Sequence, residues 1–110
     1  MKEWSGLLEA EVASWPGTTS RAMFGMTVFY RRKVVFAALP RTRAFNTAHS
    51  VAFKLYKRSA QVQKLLEADE RIARAFREDG KWISLDLRDE RDLTHALKWL
   101  DRAYRSCGKT

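Results

Sequence analysis

A β-hairpin is predicted from one stretch of this chain, MFGMTVFYRRKVVFAAL (residues 23–39). Its two halves, residues 23–30 and 34–39, are rich in Val, Phe, Tyr and Thr, the residue types that favour strands. Only residues 31–33 (RRK) separate the halves, so we expect two antiparallel strands joined by a short turn. The sheet that this hairpin begins therefore carries three cations at one end.

A helix is predicted ahead of the hairpin. Apolar residues recur at a spacing of three to four over residues 3–14, as on one face of an amphipathic helix. Pro16-Gly17 ends that helix, because proline disfavours helical geometry in the residue before it. The polar run Thr18-Thr19-Ser20 is predicted as a loop. After the hairpin, Pro40 closes the second strand and residues 41–49 form a polar connection.

Two further strands are predicted from alternating hydrophobicity, the pattern of a half-buried strand. The first covers residues 50–57 and the second covers residues 82–88, and their inward residues are Val51, Phe53, Leu55, Ile83, Leu85 and Leu87. Between them, Ser59 is placed to cap a helix. We expect the apolar face of that helix to continue through Ile72 and Phe76, after a break near Asp69.

The last helix is predicted to follow a cap at Asp89, with Asp92 three positions later. Its apolar stripe comprises Leu93, Ala96, Leu97, Leu100, Ala103, Tyr104 and Cys107. The predicted order is α-β-β-β-α-β-α, in a single α+β domain over residues 1–110. We expect a mostly antiparallel, four-stranded sheet with three helices packed on one face.

The charge of the chain is concentrated in one segment. The 110 residues include 21 Lys and Arg against 13 Asp and Glu, a net charge of +8. Nine of the cations and no acidic residue lie between Arg21 and Arg58, whereas the remainder holds 12 basic and 13 acidic residues. Such asymmetry builds a local positive potential that scattered charges would not.

Composition narrows the class of protein further. A single Cys rules out a disulfide within the chain and fits a reducing compartment. No stretch without Lys, Arg, Asp or Glu exceeds ten residues, which is too short to span a bilayer. Three Glu interrupt the apolar pattern of the first 15 residues, unlike a secretory signal. We therefore expect a soluble, cytoplasmic domain that does not contact membranes.

The candidate binding residues are the cations of the basic segment: Arg21, Arg31, Arg32, Lys33, Arg41, Arg43, Lys54, Lys57 and Arg58. Arginine can contact phosphate with two parallel hydrogen bonds, and lysine supplies a mobile point charge. Aromatic residues interleave with these cations and could stack on bases. No signature of an RRM, KH or helix-turn-helix domain is present, so sequence-specific recognition is not indicated.

Catalytic and metal chemistry find little support in the sequence. The two His, His49 and His95, are 46 residues apart and no zinc-ligand spacing occurs. His95 falls on the polar side of its helix and is predicted to be solvated. The five Gly form no phosphate-binding motif. We expect no enzyme activity, no cofactor and no metal.

The segment RAMFGMTVFYRRKVVFAAL (residues 21–39) resembles the opening of the TfoX N-terminal domain family. The matching positions are Arg21, Met23, Phe24, Gly25, Tyr30 and Phe36. AFKLYK (residues 52–57) is similar to that family's third strand, and Leu93, Trp99 and Ala103 to its closing helix. Residues 80–105 also resemble the end of a bacterial luciferase-like domain family. The TfoX resemblance implies a small α+β domain without a known catalytic site, linked to regulation of competence and transcription.

Three functions follow as hypotheses. The first is a non-enzymatic module that binds nucleic acid, or a nucleic-acid-bound partner, through residues 21–58. The second is a protein-interaction domain whose basic face meets an acidic partner, with an exposed Trp82 or Trp99 as its anchor. The third is a small-molecule site between the sheet and the helices. An exposed sheet edge could also support a homodimer, which would double the basic surface.

Overall fold

The computed structural model describes residues 2–23, 25–40, 50–56, 59–69, 72–73, 82–87 and 91–107. These residues form helices α1 (Lys2–Ala13), α2 (Ala60–Ala68) and α3 (Asp92–Ser106). The strands are β1 (Thr18–Met23), β2 (Met26–Arg31), β3 (Val34–Pro40), β4 (Ser50–Lys54), β5 (Ile72–Ala73) and β6 (Trp82–Asp86).

The strands form one antiparallel sheet in the order β1-β2-β3-β4-β6-β5. The α+β class and the predicted hairpin of β2 and β3 are confirmed. The sheet has two more strands than the four predicted, and both extra strands lie at its edges. Edge strands carry a weak sequence signal, because an exposed strand has no need of alternating hydrophobicity.

Strand β1 corrects the prediction of a loop at residues 18–20. Gly17 adopts a φ of +75°, which turns the chain back after α1. The following residues pair with β2 along its whole length, from Thr18 opposite Arg31 to Met23 opposite Met26. The middle of β1 is exposed, so its polar composition suits an edge strand.

The helix predicted to extend beyond Asp69 is shorter than expected. Its start is confirmed, because the Oγ of Ser59 accepts a hydrogen bond from the backbone N–H of Val62 at 3.1 Å. The helix ends at Ala68, and Ile72 then pairs with Leu85 of β6 as part of strand β5. The apolar Ile72 therefore reaches the main core from a strand and not from the face of a helix. Phe76 lies outside the described residues.

Helix α3 begins at Asp92, and Arg91 before it makes no capping hydrogen bond with its side chain. Asp89, the predicted cap, lies outside the described residues. The apolar stripe is confirmed, since Ala96, Leu100 and Ala103 are buried. These residues place α3 against the centre of the sheet.

All three helices pack on the same face of the sheet. The main core joins residues of α1, α2 and α3 to one set of strand residues, among them Phe29, Phe53 and Leu85. A second apolar cluster, Val28, Ala38 and Ala52, contains strand residues only. The predicted alternation in β4 and β6 is thus confirmed, since inward residues join the main core.

A β-bulge between β2 and β3 interrupts the regular alternation at one point. Phe29 pairs with Ala37 and Tyr30 pairs with Val35, so Phe36 is the extra residue. Phe36 and Ala37 are consecutive and both lie in the main core. Beyond the bulge, Tyr30 and Val35 pack with the second cluster, on the other face.

Candidate nucleic-acid interface

The side of the sheet opposite the helices is called the open face below. Within the described part of the chain, its residues follow from strand register and from the second apolar cluster: Thr19, Arg21, Met23, Met26, Val28, Tyr30, Val35, Ala38, Pro40, Ser50, Ala52, Lys54, Trp82, Ser84 and Asp86. Its centre is apolar and tightly packed, since Ala52 has no exposed surface. The cations of this face, Arg21, Lys33 and Lys54, lie outside that centre.

Three of the predicted binding residues lie on this side of the sheet. Arg21 lies on the edge strand β1 and is exposed. Lys33 is exposed in the hairpin turn, where it lines the same groove as Arg21 and Tyr30. Lys54 ends β4 and is half-buried. The open face thus carries cations on its edge strand, at its turn and near its middle.

Lys54 is held by two aromatic rings. Its Nζ lies 5.2 Å from the centroid of the Trp82 ring and 5.8 Å from that of Tyr56. The Tyr56 hydroxyl donates a hydrogen bond of 2.6 Å to the carbonyl oxygen of Val35, which fixes the tyrosine beside β3. The aromatic faces attract the ammonium group and orient it.

Acidic residues are sparse on this side. In the described strands Asp86 alone is acidic, and it pairs with Ser50 at the far end of β4 from Lys54. Neither Arg21 nor Lys33 forms an ion pair with a described carboxylate. Their charge is therefore not neutralised by a neighbouring carboxylate among these residues.

Arg31 differs from the other cations of the turn. Its guanidinium lies 4.1 Å from the centroid of the Tyr104 ring, and its Nη1 donates to the Tyr104 carbonyl oxygen at 2.9 Å. Tyr104 belongs to α3, so Arg31 points to the helix side of the sheet. Arg31 therefore does not face the open side with Lys33, because strand alternation turns its side chain to the opposite face.

Arg32 is exposed at the turn and lies close to the loop that precedes β1. Its backbone N–H donates to the Gly17 carbonyl oxygen at 3.1 Å. A side chain at position 17 would come within 3.6 Å of its Cγ. Arg32 thus stands at the sheet edge. The other predicted binding residues, Arg41, Arg43, Lys57 and Arg58, lie outside the described residues.

A polar cluster that the sequence did not indicate joins α2 to α3. Oδ2 of Asp69 lies 2.5 Å from Nε2 of His95 and accepts a 2.9 Å hydrogen bond from Nε1 of Trp99. The Asp69 side chain is only 6% exposed, against 33% for that of His95. His95 was predicted to be solvated, which is wrong because α3 packs it against the end of α2.

Trp99 is also placed differently from the prediction of an exposed anchor. It is 1% exposed, and its ring stacks on Phe53 with 5.6 Å between the centroids. Trp99 therefore belongs to the core. Trp82 is half-buried on the open face, where it contacts Lys54. Of the two tryptophans, only Trp82 lies where a partner could touch it.

Two general features of the described residues bear on function. No group of three or more His, Cys, Asp and Glu among them comes together as a metal site. No helix among them is long and apolar enough to cross a membrane.

No protein-family model matches the chain, and neither a curated protein nor a solved structure matches it significantly. The resemblance to the TfoX N-terminal domain family remains a prediction.

Proposed function

We propose that this domain binds nucleic acid, without catalysis, through the open face of its sheet. The observation that carries the proposal is the gathering of Arg21, Lys33 and Lys54 on the side of the sheet that no described helix covers. The phosphate backbone is a regular array of negative charge. Cations that neutralise several of its phosphates release counterions, which is the main source of non-specific affinity.

The helix side of the domain has a different charge balance. Its described helices carry carboxylates beside their cations, as in the ion pair between Arg105 and Asp101. Glu9 of α1 accepts a hydrogen bond from Thr27, and Asp69 is engaged by His95 and Trp99. A polyanion approaching this side would also meet exposed carboxylates such as Glu11 of α1 and Glu67 of α2. The domain therefore favours contact with a polyanion through the sheet.

Binding of labelled DNA and RNA oligonucleotides, single-stranded and duplex, at several salt concentrations tests the proposal. We expect the affinity to fall steeply as salt rises. Changing Arg21, Lys33 and Lys54 together to Gln should weaken binding to all sequences. If each cation meets one phosphate, the logarithmic salt slope on a single strand should decrease by about 2.

A charge-matched control separates the face from the total charge. Lys64, Lys98 and Arg105 are exposed on α2 and α3, so their change to Gln removes the same three charges from the helix side. We expect this variant to bind nearly as well as the wild type. Equal losses in the two variants, or no binding at low salt, would contradict the proposal.

A competition experiment with polyglutamate distinguishes a nucleic-acid partner from an acidic protein partner. Polyglutamate presents the same sign of charge without phosphates, sugars or bases. We expect it to compete poorly at equal concentration of charge. Competition as strong as that of unlabelled oligonucleotide would overturn the nucleic-acid proposal in favour of an acidic protein.

A further inference from the structure

A groove at the edge of the sheet is lined by Thr19, Ser20, Arg21, Tyr30 and Lys33, and is called the hairpin groove below. Its volume is about 450 Å³, within the range of about 300 to 1,000 Å³ that ligand sites occupy. It forms where β1 pairs with the end of β2, so that Thr19 lies opposite Tyr30. The groove is thus larger than a single ion needs.

The lining residues favour an anionic ligand. Arg21 and Lys33 are cations, Thr19 and Tyr30 carry hydroxyls, and no carboxylate lines the groove. Hydroxyl groups both donate and accept hydrogen bonds, as the oxygens and hydroxyls of a sugar-phosphate require. A positively charged ligand would be repelled. The chemistry therefore suits a phosphate group attached to a polar body.

Tyr30 adds an aromatic surface at the same place. Its ring is half-buried and packs against the apolar cluster of Val28, Ala38 and Ala52, which restricts its movement. A restrained aromatic ring is a suitable surface for stacking an unpaired base. Bases in a duplex have both faces covered by their neighbours, so this contact requires a single strand.

We infer that the hairpin groove holds one nucleotide of a single-stranded nucleic acid, with its phosphate at Arg21 and Lys33 and its base against Tyr30. The inference rests on the proposed function and makes it more specific. It assigns a preference for single strands over duplexes. It also separates the charged contacts, which depend on salt, from the stacking contact, which does not.

The test compares the 110-residue chain with two variants of Tyr30, using single-stranded and duplex oligonucleotides of equal length. Tyr30→Leu keeps an apolar side chain against the cluster and removes the ring. We expect it to lower single-strand affinity about tenfold with an unchanged salt slope. Tyr30→Phe keeps the ring and should stay within about twofold of the wild type.

A second measurement does not depend on the stability of the variants. In NMR titrations of the wild type, thymidine 5′-monophosphate should shift the backbone amides of residues 19–21 and 30–33. Thymidine, which lacks the phosphate, should shift them far less at the same concentration. Equal shifts from the two compounds, or shifts confined to other residues, would overturn the inference.

Failure of the inference is distinguishable from failure of the proposed function. If duplex binds as tightly as single strands and Tyr30→Leu has no effect, the nucleotide site is wrong. The proposed function still stands in that case, provided that the Gln variant of Arg21, Lys33 and Lys54 loses affinity. If the wild type binds no oligonucleotide at low salt, both are wrong.

Discussion

The guanidinium of Arg31 lies over the ring of Tyr104, 4.1 Å from the ring centroid, and donates a 2.9 Å hydrogen bond to the carbonyl oxygen of the same residue. This contact joins the end of the hairpin to α3 across 73 residues of sequence. It also separates Arg31 from the neighbouring cations. Arg31 packs against α3, whereas Lys33 lies on the open face.

Replacing Arg31 is therefore expected to affect stability. Arg31→Ala removes a charge-assisted hydrogen bond and a cation–π contact, so the free energy of unfolding should fall by about 1–3 kcal/mol. Lys33→Ala is the matched control and should change it by less than about 0.5 kcal/mol. Urea denaturation of both variants measures the difference. Equal effects would contradict the role assigned to Arg31.

The hairpin turn stores backbone strain. Arg32 and Lys33 have φ angles of 51° and 73°, the left-handed region that side chains disfavour. The pair forms a two-residue connection with both φ positive, for which Asn-Gly is the preferred sequence. The side chains of Arg32 and Lys33 at these positions therefore lower the stability of the fold.

Changing Lys33 to Gly should relieve part of that strain. A left-handed residue with a Cβ costs about 1–2 kcal/mol. The greater freedom of glycine in the unfolded chain offsets about 0.4–1 kcal/mol of this. We expect a net gain of about 0.5–1 kcal/mol in the free energy of unfolding. Lys33→Ala keeps the Cβ and should show no gain, so equal stabilities of the two variants would refute the expectation.

The cluster of Asp69, His95 and Trp99 should stabilise the packing of α2 against α3. Asp69→Ala leaves Nε1 of the buried Trp99 without its acceptor, which costs about 1–3 kcal/mol. Trp99→Phe removes the donor and keeps an aromatic ring beside Phe53. In a double-mutant cycle with these two changes, we expect a coupling energy of about 1–2 kcal/mol. A coupling near zero would show that the hydrogen bond contributes nothing to stability.

Cys107 at the end of α3 and Tyr56, whose backbone N–H donates to Ser106 of that helix, should make the fold sensitive to alkaline pH. Burial raises the pKa of Cys107 from its ordinary 9.0, an effect that the nearby Arg31 charge partly opposes. Burial is also the main reason why the pKa of Tyr56 is raised from 10.0, and Cys107 adds to it. The Tyr56 hydroxyl can donate to Val35 only while it is protonated.

Because both pKa values are higher in the folded chain, the unfolded chain releases these protons first as the pH rises. Their stabilising contribution is complete below the ordinary pKa values of 9.0 and 10.0 and is lost as the pH rises through the folded values. Urea midpoints at pH 7, 9 and 10.5 measure the loss. Tyr56→Phe and Cys107→Ala should each reduce the decline relative to the wild type, and unchanged declines would contradict the assignment.

The sequence predicted the parts of the fold that are buried on one side. The strand around Phe29 follows from its strand-forming residue types, the strands around Phe53 and Leu85 follow from alternating hydrophobicity, and α3 follows from its apolar stripe. It missed β1, because an exposed edge strand has little hydrophobic pattern. It missed β5, because an isolated Ile fits either a helix face or a strand.

The sequence predicted only part of the candidate site. Counting charges located the basic segment, of which Arg21 and Lys33 line one groove and Lys54 lies on the same face of the sheet, three strands from Arg21. The sequence did not indicate that Arg31 leaves this group. Nor did it indicate that His95 and Trp99 meet Asp69, since neither contact has a local signature in the chain.

By itself, the sequence determined the α+β class, the central hairpin and the segment that holds the excess positive charge. Those properties depend on local spacing and on composition, both of which the sequence gives directly. Only the tertiary structure decided which cations share the open face and which one packs against α3. That division depends on strand register, because a shift of one residue exchanges the two faces of a sheet.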